Sequence, residues 1–311
     1  MLLPVSQEAL VPQATANGIQ IEYESFGSAS APAVVLVMGL GAQLTRWPLP
    51  LCEKLTARGY RVVRFDNRDI GLSTKLDHAP VPKLTALIAA RMAGLRPPLP
   101  YTVDDMAADT VGLLDALDIA RAHIVGTSLG GMIAQQVAAN HPERILSLTS
   151  LMSTTGNPTL PPPTPAAAAI LMSRPPDPIR DPEGYVTYGL NTLRVIGSPD
   201  YPFDERAARE RIRAEALRSY YPAGYARQIA AATMSGDRRE KIRRIQAPTV
   251  VVHGAADPLV PLAAGRDTAD NIPGAELLVI PGMGHDLPPP LFDTFADAID
   301  SAAKRSAART H

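Results

Sequence analysis

One cysteine, Cys52, stands among 311 residues. No disulfide can therefore close within the chain, and a reducing compartment is the expected setting. Long apolar runs are missing too: a stretch such as Ala33 to Met38 is far short of the roughly 20 residues that a bilayer span needs. Met1 to Thr15 has neither a basic start nor an apolar stretch long enough for a secretory leader. Neither sign of charge dominates, since 30 basic side chains face 31 acidic ones for a net charge of −1. That balance leaves no electrostatic reason to expect nucleic acid or an anionic membrane as a partner. Together these absences predict a soluble cytoplasmic protein, and the length allows one large α/β domain. Proline, by contrast, is abundant at 31 residues. It crowds the stretch from Pro158 to Pro182, where continuous regular structure is not expected.

The stretch His123 to Ile133 organises the rest. Ile124 and Val125 read as the end of a buried strand, and Leu129, Ile133 and Val137 recur at a helical period until Asn140-His141-Pro142 stops the helix. Between strand and helix stands Gly126-Thr127-Ser128-Leu129-Gly130, the pattern G-x-S-x-G. A serine on so tight a turn is expected to sit in strained backbone with its Oγ exposed, while the flanking glycines let neighbouring segments approach. The helix N-terminus points free N–H groups and a positive dipole end at any oxyanion formed there. This is the layout of a nucleophile elbow.

Taken in order, Asn17-Gly18 signals a two-residue hairpin turn, with Ile19, Ile21 and Tyr23 alternating against Gln20, Glu22 and Glu24. The spacing predicts a half-exposed hairpin at a sheet edge. Ala33 to Met38 is apolar without alternation, as a strand covered on both faces should be, and it runs into the small-residue loop Gly39-Leu40-Gly41. A helix over Leu49 to Arg58 makes Cys52 a packing residue, and Tyr60 to Asp66 reads as another buried strand. Thr102 to Asp105 forms a capping box ahead of a helix, and Ile145 to Met152 is a further strand. From Ser153 to about Asp237 the strand rhythm breaks into Pro-rich and then helical sequence. The mixed-sign run Asp204 to Arg213 within it reads as a solvated helix face. The rhythm returns with a strand at Pro248 to Gly254, a helix over Ala263 to Ala269, a strand at Ala275 to Ile280 and a helix from Pro290 to Lys304. Alternation of this kind predicts a mostly parallel sheet flanked by helices. Residues 1–152 and 238–311 are then the α/β core, and residues 153–237 a helical lid over the carboxyl ends of the strands, where ligands bind in open sheets.

A serine hydroxyl needs a base to take its proton and an acid to orient that base. In elbow enzymes these follow in the order Ser, acid, His. Two histidines after Ser128 stand at plausible positions, His253 and His285. His253 lies inside a strand run and reads as structural, whereas His285 follows the loop Pro281-Gly282-Met283-Gly284 off the last strand. Asp257 sits on the loop after the preceding strand, with Pro258 read as the start of the next helix. Asp286 adjoins His285 and points away from it in an extended backbone. Three strand ends thus deliver Ser128, Asp257 and His285 in the required order.

These motifs, with Val37-Met38-Gly39-Leu40-Gly41 and Asp66-Asn67-Arg68-Asp69-Ile70-Gly71-Leu72-Ser73, resemble the α/β-hydrolase superfamily over nearly the whole chain. Within it they are similar to serine esterases of the aclacinomycin methylesterase type. The resemblance implies that Leu40 and Leu129 donate the two backbone N–H groups of an oxyanion hole. Two departures stand out: Met38-Gly39 replaces the His-Gly of many relatives, and Asp69 stands where many carry glycine, as in the methylesterases. The expectation is a carboxylesterase acting on small to medium esters, with a small-molecule ester as its partner and neither metal nor cofactor. The same triad also serves cofactor-free perhydrolases and carbon–carbon bond hydrolases of this fold, and some relatives use it as a ligand receptor.

Overall fold

Among the described residues, eight strands make one sheet: β1 (Gln13–Ala16), β2 (Ile19–Phe26), β3 (Ala33–Val37), β4 (Arg61–Phe65), β5 (Ala122–Thr127), β6 (Ile145–Leu151), β7 (Thr249–Gly254) and β8 (Glu276–Ile280). Their order is β1-β2-β4-β3-β5-β6-β7-β8, antiparallel at the β1, β2 and β4 end and parallel from β4 to β8. The structure, a computed structural model, describes residues 12–308, so the leader expectation for Met1 to Thr15 falls largely outside the described residues. Among those described, no helix is long and apolar enough to cross a membrane.

The unalternating strands are explained by the two layers around them. Along β3, Ala33, Val35 and Val37 pack on one face with side chains of α3 (Val103–Ala116) and α4 (Leu129–Asn140). Val34 and Leu36 pack on the other with α1 (Leu49–Ala57) and α11 (Phe292–Ala307). Both faces need apolar residues, each worth about 1.5–3 kcal/mol when fully buried. Cys52 is buried in the α1 layer, and burial pushes its thiol up to about 11. The Thr102 capping box forms, with Thr102 and Asp105 exchanging side-chain to backbone bonds at 3.2 and 2.7 Å.

The edge hairpin turns at Asn17-Gly18 as expected, yet one polar position of β2 departs from the alternation. Glu22 is buried rather than exposed: its N–H donates to Ser73 Oγ at 3.0 Å, and the Arg218 guanidinium lies 3.6 Å from its carboxylate. A cation carried by a distant helix covers what would have been the solvent face.

A helix not read from the sequence, α2 (Leu84–Met92), lies between β4 and α3. Between β6 and β7 come α5 (Pro165–Met172), α6 (Pro182–Ile196), α7 (Glu205–Arg218), α8 (Pro222–Met234) and the short α9 (Arg239–Ile242), with no strand among them. Arg227 of α8 pairs with Asp69 at 2.8 Å, both fully buried, and Arg218 of α7 pairs with Asp66 at 2.7 Å. These helices are thereby tied to the loop that follows β4. The last elements are α10 (Leu262–Asn271), after β7, and α11, which begins at Phe292 behind a single 3-10 turn, Pro289–Leu291.

Candidate active site

Ser128 caps α4 with φ 55° and ψ −119°, a conformation that costs an L-residue on the order of 1–3 kcal/mol. Its surroundings hold it there. The Ser128 N–H donates to Leu151 O at 3.0 Å, and its carbonyl accepts from the Gly131 N–H at 2.9 Å and from the Ser153 hydroxyl at 2.8 Å. A Cβ on Gly126 would fall 2.1 Å from Gly130 O, and one on Gly130 would fall 2.1 Å from Val37 O. Only glycine lets β5, α4 and β3 meet so closely.

The loop after β3 lies against this serine. A Cβ on Gly39 would stand 3.2 Å from Ser128 Cβ. On either side of Leu40, Asn67 Nδ2 donates to Met38 O at 2.8 Å, and the Gly41 N–H donates to Gln228 Oε1 at 2.9 Å. Among the described groups, neither the Leu40 nor the Leu129 N–H has a hydrogen-bond partner. Met38 is buried beneath the loop in the α1 layer.

Asp257 and His285 come together across the ends of β7 and β8. Asp257 Oδ2 lies 2.7 Å from His285 Nδ1. Its Oδ1 accepts the N–H groups of Leu259 and Val260 at 2.9 and 2.8 Å. This corrects the reading of Pro258 as a helix start: residues 257–260 form an Asx-type turn, because the carboxylate draws the amides that would otherwise begin a helix, and α10 begins only at Leu262. His253 is fully buried, and burial lowers its pKa. Its Nε2 donates to Val260 O at 2.7 Å and stands 3.7 Å from Asp257 Oδ2, so it braces the turn from behind. The His285 ring takes Asp257 rather than Asp286 as its hydrogen-bond partner, and Asp286 accepts from the Ser198 hydroxyl. Burial raises its pKa.

Leu40, Ser128, Leu129 and His285 line one cavity of about 2270 Å³, while Asp257 is buried behind the histidine. Typical small-molecule sites run to about 300–1,000 Å³. Loops at the carboxyl ends of the strands form one wall, and α5 to α8 together with α2 the other. The site thus has a serine on the cavity wall, an imidazole oriented by a carboxylate, and free amides beside the serine. That combination suits acyl transfer.

Reading the sequence in order missed the supporting groups. Ser153 touches Ser128 itself, while Asn67 and Gln228 hold the residues on either side of Leu40 and Ser198 those on either side of His285; only Asn67 lay in a motif already singled out. The Asp257-Pro258 dipeptide was the one local signal for the Asx turn.

The α/β hydrolase fold model matches residues 32–180. Over 305 residues the chain is 28% identical to the rhodomycin D methylesterase DauP of Streptomyces sp., covering 92% of this chain and 95% of that one. Over 276 residues it is 30% identical to a putative carbamate hydrolase, RutD, of Stutzerimonas stutzeri, covering 85% and 89%. The solved enol-lactonase of Burkholderia xenovorans matches with a TM-score of 0.70 at 26% identity, over 94% of this chain and 100% of that one. With a relative at this identity aligned along nearly its full length, and a sheet whose order and elbow agree, the chain belongs to the α/β hydrolase fold family.

Proposed function

We propose that this chain is a serine carboxylic-ester hydrolase working through an acyl-enzyme. The observation that carries the reading is the 2.7 Å contact of Asp257 with His285, whose ring shares a cavity with a serine held at φ 55°. Ser128 Oγ attacks the acyl carbon while His285 Nε2 takes its proton, and Asp257 holds the imidazole in the tautomer that leaves Nε2 free. The oxyanion is met by the N–H groups of Leu40 and Leu129 at the positive end of α4. His285 returns the proton to the departing alcohol. Water, deprotonated by the same ring, then attacks the acyl carbon and releases acid and Ser128.

Residues 153–237 serve on this reading as a cap over a core of residues 1–152 and 238–311, and the cavity between them takes the substrate. Two of the relatives named above act on esters by name, a methylesterase and an enol-lactonase. A cavity this large has room for a bulky acyl group as well as small to medium ones. No metal or cofactor enters the scheme.

The test is turnover of p-nitrophenyl esters of graded chain length by the wild type and by Ser128→Ala. The variant should lose roughly 10⁴- to 10⁶-fold in kcat while its folding stays intact, and a phosphonate should label Ser128 alone. Activity retained in the variant overturns the mechanism. Hydrogen peroxide and vinylogous diketones, offered in the same assay, report perhydrolase and carbon–carbon bond hydrolase activity. Binding without turnover would mark a receptor.

A further inference from the structure

We propose that residues 196–201, the strap that runs on from the last residue of α6, position His285 for proton transfer, with Ser198 as the positioning residue. The inference rests on the reading of His285 as the general base. Asp257 secures the ring at Nδ1, but one hydrogen bond leaves the main chain that carries the ring unplaced. The strap supplies that placement. The His285 N–H donates to Ile196 O at 2.7 Å, and the Gly284 N–H donates to Ser198 Oγ at 2.8 Å. The Ser198 hydroxyl, accepting on that side, donates on the other to Asp286 Oδ1. Tyr201 Oη donates to Pro281 O at 3.2 Å, and the Asp200 N–H donates to Gly282 O at 3.4 Å.

The fit leaves no slack: a Cβ on Gly284 would stand 2.2 Å from Gly197 O, and one on Gly282 would stand 2.2 Å from the Asp200 carboxylate. Ser198 is the hinge pin of this contact because its single hydroxyl joins the residues on both sides of His285. Residues 193–198 also line the cavity, so a substrate filling it presses on the same strap that holds the base. A displacement of about 1 Å at a reacting group can cost on the order of 10²-fold in rate.

The experiment compares Ser198→Ala, Ser198→Thr and Asp286→Asn with wild type on p-nitrophenyl acetate, too small to need the cavity wall, and on a long-chain ester. Ser198→Ala should lower kcat roughly 10- to 100-fold on both esters with KM changed less than about twofold. Ser198→Thr, keeping the hydroxyl, should recover most of that loss. Asp286→Asn, still able to accept from Ser198, should lose less than about tenfold. An unchanged kcat in Ser198→Ala, or a loss confined to KM on the long ester, overturns the proposal. Should Ser198→Ala fail to fold, Asp286→Ala, which removes the acceptor, carries the same expectation and the same refutation. His285→Ala is assayed beside them. If it is as active as wild type, the reading of His285 as base has failed; if it is inactive while Ser198→Ala is unimpaired, only the strap proposal has.

Discussion

Asp257 gives one oxygen to the His285 ring and the other to two backbone amides, and its exposure is 6%. Both carboxylate oxygens therefore face donors. An asparagine there must turn its NH₂ toward either the Leu259 and Val260 amides or the imidazole, so donor meets donor, or the ring flips to the wrong tautomer. On the proposed mechanism, Asp257→Asn should lower kcat/KM by roughly 10²- to 10⁴-fold. A loss of less than about tenfold, measured on p-nitrophenyl butyrate, would move the orienting role elsewhere. The sequence singled out Asp257 because it follows a strand, and it set Asp286 aside because neighbours in extended chain face apart. What it did not show was the hold on each: the turn amides and His253 around the one, Ser198 around the other. Those partners are brought by tertiary contacts, and no local spacing encodes them.

Among the elements, β5 carries a titratable group in its interior. His123 is 5% exposed, its Nδ1 lies 2.8 Å from Ser147 Oγ on β6, and its ring meets Tyr60 edge-on at 5.7 Å. Burial, helped by the Arg121 charge, lowers its pKa from 6.5 to about 4. The unfolded chain therefore binds this proton between about pH 6.5 and 4 while the folded chain refuses it, so stability must fall as pH falls through that window. A displacement of this size corresponds to about 3 kcal/mol. His253, with its pKa also lowered by burial, acts in the same direction. Urea unfolding at pH 4.5, 5.5, 6.5 and 7.5 should show the decline, and His123→Gln should flatten it. Parallel curves for variant and wild type would refute the assignment. The sequence predicted β5 as a buried strand from the short apolar run that ends in Ile124 and Val125, and the structure places those two side chains in opposite layers. That His123 is buried as well was hidden, because a histidine at a strand start is equally at home in solvent.

At the scale of the molecule, the helices between β6 and β7 wall a cavity together with the strand ends. Ile170, Leu171, Met172, Tyr188 and Leu193 all line it, whereas Ser128 and Asp257 belong to loops on the sheet. Each methylene gained or lost in such a pocket is worth about 1–3 kcal/mol of discrimination, so Ala substitutions at these five positions should shift acyl-chain preference by roughly 10- to 100-fold. The check is kcat/KM on short and long esters for each variant. A uniform factor on every ester would make these helices a cover rather than a selector. Leu193, next to the strap, should alter both preference and kcat if the strap holds His285.

The alternation of apolar runs and helical periods was enough, along the chain alone, to determine a mostly parallel sheet flanked by helices. Those features follow from short-range steric and hydrophobic preferences that each segment carries by itself. The placement of Ser128, Asp257 and His285 at the carboxyl ends of β5, β7 and β8 was likewise legible, because each stands on the turn or loop that follows a strand. Tertiary structure decided what is joined across distance: Arg218 over Glu22, Arg227 on Asp69, Gln228 on Gly41 and Ser198 on the His285 loop. Buried polar groups must find partners wherever the fold offers them, and the partner's sequence position is then set by packing, which no window along the chain contains.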